Sequence, residues 1–569
     1  MKSPSPVRTF LCPALAVIII LVSGGGASAQ MQQQSLKHGT EHLLQYQDQI
    51  RVDYLKKHLS VIAHDSLRGR ETGSSGLEIA ADYLATEYRD MGLQPMGDED
   101  SYFQHFSLSA LKRDSTVYKL FENGTLVNRS VESRNQTANF IRSFGGSDTL
   151  SGEVIFAGFG VNDPGRGVRH LGDMDLEGKW VMVFQQIPHV VDGDTLVDPS
   201  INGKTRFSTI IEEKGAAGML IVAPMTETEY QATAEKNRVR YAEPSRYQLG
   251  YLDDSTGGLP MGYNMVQPLL AARILGISYS NEKLMAFQQS LINNIRGFSP
   301  RKTGFSLTHI PHHSRSRIHT KNVVAKLPGS DPQLADEVVV LTSHYDHVGV
   351  GRPDSTGDSI YNGADDDGSG TVALLNVAKA LSEARNNGYA PRRSILFLHV
   401  SAEEIGLYGS RYYSDHPVVP IDQTVANINI DMIGRIDREH ETEGISDYAY
   451  LIGGELISSD LDSLIRLANR QSGNIELDNK YNDLDDPNQF YRRSDHWNFG
   501  RHRVPFAFFF SGVHEDYHRP SDEIHKIRFD KMAGIIRTIF ASTVIIANED
   551  QRPAVDNEAF IEITRSRPR

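Results

Sequence analysis

The chain has 569 residues, 39% hydrophobic and 23% charged, which is the composition of soluble globular protein and long enough for two or three domains. A formal charge of −14 without a basic stripe argues against nucleic acid and against an anionic membrane surface, and leaves peptides and small molecules as partners. The single cysteine, Cys12, excludes a disulfide framework.

Residues 1–29 read as a secretory signal peptide: Lys2 and Arg8 precede the apolar run Leu11 to Val22, and Ala27-Ser28-Ala29 is a small-x-small cleavage site. Cleavage near Ala29 would release a chain without any thiol, secreted or periplasmic in a bacterium. No stable membrane span is expected after cleavage, because no later stretch reaches roughly 18 consecutive apolar residues. In the next segment, 30–115, Leu77, Ala80, Ala81, Leu84, Tyr88 and Met91 share one helical face, with Ser74 or Ser75 as cap and Gly92 as stop. By itself that is a packing helix.

From 116 to 307 the texture changes to short strands and turns, as in "GEVIFAGFGV" and "LEGKWVMVF", and is expected to form a separate β-rich domain. His309, His312, His313 and His319 sit at its end among Pro and Ser with no interleaved carboxylate, which reads as a polar linker. From 308 to 549, near-continuous apolar runs (337–343, 394–401, 425–431, 449–454, 504–511) alternate with helical patterns. This predicts an α/β fold, a mainly parallel mixed sheet with helices on both faces, whose ligands bind at the carboxyl ends of the strands. Residues 550–569 are expected to be a C-terminal tail.

Those strand ends carry the chemistry. His344 and Asp346 follow the first strand in "SHYDH", Glu403 and Glu404 the second in "SAEEIGLYGS", Asp431 the third, and His518 the last. Between the first two lies "NGADDDGSG", with Asp365, Asp366 and Asp367 side by side before a helix. One Asp can cap that helix, but three adjacent carboxylates repel each other unless a cation holds them ionised. Each site alone is ordinary; together, two His and several carboxylates without sulfur suit zinc, and one Asp of the trio is placed to bridge two ions while its neighbours cap the helix or face solvent.

The motifs "SHYDHVG", "NGADDDGSG", "AEEIGLYGS", "NIDMIGR", "RRSDHWNF" and "YHRPSDE", in this order, resemble the M28 family of di-zinc metallopeptidases, secreted bacterial aminopeptidases in particular. "LRGRETGSSGLEIAADYL" resembles that family's N-terminal helix, and 116–307 resembles a protease-associated (PA) domain inserted between two parts of a zinc-peptidase/phosphorylase-hydrolase-like domain. The resemblance implies two zinc ions, one held by His344, Asp366 and Asp431, the other by Asp366, Glu404 and His518. It implies Glu403 as general base, Asp346 orienting the His344 imidazole, Tyr517 assisting the oxyanion, and Arg493 lining the substrate site. The implied substrates are peptides with a free N-terminus.

The string His514-Glu-Asp-Tyr-His518 also satisfies the HExxH pattern, but that motif needs a helix, and Gly512 and Pro520 deny one. His347 and His496 are expected to be pocket-wall or structural residues. A carboxypeptidase, or a one-zinc glutaminyl-cyclase-like enzyme of the same fold, is the alternative.

Overall fold

The computed structural model describes residues 39–136, 139–142, 148–238, 244–252 and 263–565; the expected signal segment lies outside them. In chain order, α1 (Val52–Ile62) and α2 (Ser75–Asp90) come first. The Ser74 hydroxyl accepts the Leu77 N–H at 3.3 Å, and Leu77, Ala80, Ala81, Leu84 and Tyr88 are buried. Gly92, at φ 73°, then takes the left-handed conformation that ends the helix.

The strands are β1 (Phe103–Glu122), β2 (Leu150–Phe156), β3 (Trp180–Phe184), β4 (Gly218–Val222), β5 (Tyr263–Val266) and β6 (Arg301–Leu327). Next come β7 (Val338–His344), α3 (Gly368–Asn386), β8 (Ser394–Val400), α4 (Tyr408–Asp415), β9 (Thr424–Ile430), β10 (Tyr448–Gly453) and α5 (Ser459–Arg470). The chain finishes with β11 (Phe506–Phe510), α6 (Phe529–Asn548) and α7 (Glu558–Arg565). One continuous sheet carries them in the order β10-β11-β9-β7-β8-β6-β2-β3-β4-β5.

Around β7 the sheet is parallel: β7 pairs with β8 and β9, and β9 with β11, while β10 and β6 flank them antiparallel. Every residue of β7, β8 and β9 is buried because helices cover both faces. Val339 and Leu341 face one core, with residues of α1, α2, α3 and α6, and Val338 and Val340 face another, with Tyr413 of α4 and Phe499. The expected α/β architecture is present.

The segment between β1 and β6 has its own apolar core, built on the parallel strands β2, β3, β4 and β5 and including Trp180, Phe156 and Leu220. Three expectations need correction. The histidine group is not a linker: residues 301–327 are one strand, in which His309, His312, His313 and His319 pair with Tyr118, Ser115, Arg113 and Ser107 of β1. Pairing with β1 satisfies the backbone that composition assigned to a loop, and Pro311 is tolerated beside the irregularity at His312 and His313. The expected boundaries at 116 and 307 accordingly fall inside β1 and β6, so the two units are joined through a paired ribbon. The C-terminal tail also folds, as α7, whose Phe560 is buried against Trp497 and Phe506.

Candidate metal centre

The carboxyl ends of β7, β8, β9 and β11 lie side by side, and the predicted residues meet there. His344, the last residue of β7, places Nε2 at 3.2 Å from Asp366 Oδ1, 3.6 Å from Asp431 Oδ1 and 4.0 Å from Glu403 Oε2. On the other side of Asp366, His518 Nε2 lies 3.1 Å from Asp366 Oδ2 and 3.0 Å from Glu404 Oε2. Asp366 is therefore the shared member of both halves. Tyr517 stacks on His518 at 3.9 Å between ring centroids, and Tyr517 and Arg493 line the cavity that contains His344, Asp366, Glu403, Glu404 and Asp431.

The Asp trio divides its labour in a way that the sequence left open. Asp367 is the helix cap: its carboxylate accepts N–H bonds from Gly370 (2.8 Å), His344 (3.2 Å) and Met432 (3.3 Å), tying α3 to β7 and β9. Asp365 accepts the Gly434 N–H at 2.6 Å and faces His514 Nε2 at 3.2 Å. Only Asp366 points into the centre. The expectation that one of the trio faces solvent is wrong, since all three are buried. Gly370 permits this packing, because a Cβ there would lie 2.3 Å from the Ile430 carbonyl oxygen.

Asp346 stands differently from its expected role. The His344 Nδ1 contact at 3.1 Å is to the main-chain carbonyl of Asp346, and its carboxylate is 3.9 Å away, accepting instead from Thr72 Oγ1 (2.9 Å) and the Glu403 N–H (3.2 Å). It thus braces the backbone of Glu403. The HExxH string is a turn, and its two histidines diverge to Asp365 and Asp366.

Three contributions were missed by the sequence reasoning. His347, set aside as a wall residue, brings Nδ1 to 2.7 Å from Glu404 Oε1. Asp522 accepts the main-chain N–H groups of Asp365 and Asp366 at 3.0 and 3.2 Å, locking the trio to the loop of His518. Arg70, fully buried, donates to the carbonyls of Tyr345, Ile62, Asn362 and Gly363 and so holds both the start and the end of the β7–α3 connection that carries the trio. The only signals were the motif letters "SHYDH", "PSDE" and "LRGR", which do not reveal partners.

The electrostatics ask for cations. Burial pushes Glu403 well above the usual carboxylate range, with His344 opposing and Glu404 adding to the rise. Burial also raises Asp431 and brings Asp495, behind it, up to about 7. Asp366 ends well below its usual value despite its burial, because His344 and His518 hold it ionised. His518 is raised to about 10, burial being outweighed by Asp366 and Glu404. Asp366 Oδ2, Glu404 Oε1, Asp431 Oδ1 and His518 Nε2 are buried atoms whose close ion-pair contacts lack hydrogen-bond geometry. Such an excess of buried acceptors fits divalent metal. Among the described residues, two compact ligand groups occur, His344 with Asp366 and Glu404, and His344 with Glu403 and Asp431, each with its ligand atoms within 4.8 Å of one another.

Residues 322–543 match the sequence model of Peptidase family M28. A probable leucine aminopeptidase 2 of Aspergillus oryzae is 30% identical over 202 residues, 34% of this chain and 34% of that protein. Leupeptin-inactivating enzyme 1 of Streptomyces exfoliatus is 36% identical over 114 residues, 20% of this chain and 22% of that protein. The match thus spans about a third or less of the length of these curated relatives. Among solved structures, an aminopeptidase from Aneurinibacillus sp. strain AM-1 aligns with TM-score 0.48 at 16% identity, covering 90% of this chain and 97% of that one. Residues 322–543, the stretch that matches the Peptidase family M28 model, hold every strand end of this centre.

Proposed function

We propose that the protein is a secreted, zinc-dependent aminopeptidase that removes the N-terminal residue of peptides with a free α-amine. The observation that carries this is the pair of ligand sets sharing Asp366, with Glu403 facing the same cavity. His344, Asp366 and Asp431 would hold one zinc ion, and Asp366, Glu404 and His518 the other. When bound, the two ions supply Lewis acidity, polarising the scissile carbonyl and lowering the pKa of water. Support for zinc rather than a softer metal is the donor set, imidazole and carboxylate without sulfur.

Glu403 acts as general base and then as acid. Its backbone is fixed by Asp346, its carboxyl is nearly buried, and the elevated affinity for a proton lets it take one from the attacking water and return it to the leaving amine. Tyr517 stays protonated, since burial and the surrounding carboxylates raise it above its usual value, and can donate to the developing oxyanion. The acidic wall of Asp366, Glu403, Glu404 and Asp431 attracts the substrate ammonium group, while Met432, Phe490, Phe508 and Phe510 give the same cavity an apolar floor for its side chain.

One observation favours a second reading, a carboxypeptidase: Arg493 lines this cavity and could meet an α-carboxylate. The two readings part in one assay. N-terminal acetylation of a peptide of six or so residues should suppress cleavage by orders of magnitude, and C-terminal amidation should change it little; the opposite pattern would install the carboxypeptidase reading. We also read the β2–β5 unit as the inserted PA-like domain. Its strand Pro244–Leu249 pairs with β1, and the Tyr247 carbonyl accepts from Tyr408 Oη at 2.6 Å, next to the Glu403 loop, where the unit would restrict substrate size.

A further inference from the structure

Beside the metal centre lies a second cavity of about 450 Å³, lined by Leu407, Asn498 and four arginines, Arg411, Arg492, Arg493 and Arg501, with no carboxylate among its lining residues. On a chain of net charge −14, four guanidinium groups around one hollow need a reason. Their internal compensation is thin. Arg411 Nε stands 3.7 Å from Asp415 Oδ2, Arg492 donates to the Gln489 side chain, and Arg501 Nη1 donates to Asn498 Oδ1 at 2.9 Å. Arg411 Nε and Arg501 Nη2 are buried donors without a hydrogen-bond partner. Burial, and after it the positive charge of Arg411, pushes the Arg501 guanidinium below its usual value. Partly desolvated guanidinium forks that keep N–H groups unbonded are the side chains that recognise carboxylate bidentately.

The position tells which carboxylate. Arg493 lines both this cavity and the metal-centre cavity, so the two are one side chain apart. Gly406 and Leu407, which line the arginine cavity, lie in the same loop as Glu403 and Glu404, one residue further on. A base that returns its proton to the leaving amine must face the part of the peptide that departs, so the departing segment leaves along the Glu403 loop. We infer that the arginine cavity binds a carboxylate carried by the first residues beyond the scissile bond, making the protein an aminopeptidase that prefers acidic or very short peptides. The inference rests on the aminopeptidase reading above.

The test measures kcat/KM of the zinc-loaded full chain on leucine 4-nitroanilide, which has no departing peptide, and on matched amidated tetrapeptides Leu-Glu-Ala-Ala and Leu-Gln-Ala-Ala. A further pair, Leu-Ala and Leu-Ala-amide, separates a C-terminal carboxylate from a side-chain one; a preference in either pair supports the inference. The expected preference for the carboxylate member is about tenfold or more, from charge-assisted hydrogen bonds, and it should shrink in strong salt. In Arg501→Gln the ratio should fall towards one, and Arg501→Lys should restore only part of it, because the fork is lost. Should the Arg501 variant fail to fold, Arg411→Gln, whose side chain is 34% exposed, carries the same test. If the anilide is not cleaved by wild type, the aminopeptidase reading falls and takes this inference with it. If the anilide is cleaved and the carboxylate and neutral peptides are equal, or if the preference survives both arginine substitutions, the inference alone is overturned.

Discussion

Glu403→Gln separates catalysis from construction. The side chain is 12% exposed, its main-chain N–H is anchored to Asp346, and its proposed role is that of a proton carrier opposite His344. Glutamine keeps the volume and one carbonyl oxygen, so packing and the five proposed ligand residues are undisturbed, but the amide takes no proton at neutral pH. Losing a general base costs about 10²- to 10⁴-fold in rate, which corresponds to about 3–5 kcal/mol in the activation barrier. The assay is kcat on leucine 4-nitroanilide together with metal content by elemental analysis and a thermal melt. Expected are unchanged metal content, a melting temperature close to wild type, and turnover reduced by that factor with KM little altered. The companion substitution Glu515→Gln, at an exposed position in the turn between His514 and His518, should leave turnover near wild type. A dead Glu515 variant beside an active Glu403 variant would refute the assignment of the base and restore the HExxH reading.

Well-dialysed protein should carry two zinc ions per chain, whereas one ion that excess zinc does not supplement would point to the cyclase-like alternative. Chelation should abolish activity and lower the melting temperature, since metal at a thousandfold above Kd stabilises the folded state by about 4 kcal/mol. Asp522→Ala removes the acceptor of the Asp365 and Asp366 N–H groups and should destabilise the chain by about 3 kcal/mol while weakening metal retention against a competing chelator; unchanged retention would detach Asp522 from the centre. Lys531 is fully buried, bonded to Ser511 Oγ and 4.3 Å over the Tyr448 ring, and burial lowers it to about 7. Its folded pKa lies below its unfolded one, so between pH 7 and about 10 the unfolded chain binds more protons and this lysine makes stability rise with pH, by up to about 1.4 kcal/mol per unit. Lys531→Met should remove that slope, read as the difference between denaturant melts of the two proteins at pH 7 and 9.

The sequence alone determined the parts whose signal is local. Buried strands such as 338–344 and 394–400 announce themselves as unbroken apolar runs because both their faces are covered, and α2 does so through its apolar stripe and Ser74 cap. Parallel strands place their carboxyl ends at one edge, so the motifs at 344, 366, 403, 404, 431 and 518 could be expected to converge before any coordinate was known. Only the tertiary structure decided what depends on partners far away in the chain. Composition made residues 309–319 look like a linker, yet pairing with β1 makes them strand, because a polar sequence forms a ladder wherever a neighbour supplies the hydrogen bonds. Which Asp of three enters the centre follows from the N–H groups of Gly370, His344 and Met432 claiming Asp367, and from Gly434 and His514 claiming Asp365. Arg411, Arg492, Arg493 and Arg501, scattered over ninety residues, become one cavity only when α4 packs beside the segment between α5 and β11, since charge clustering is a property of the folded surface and leaves no period in the sequence.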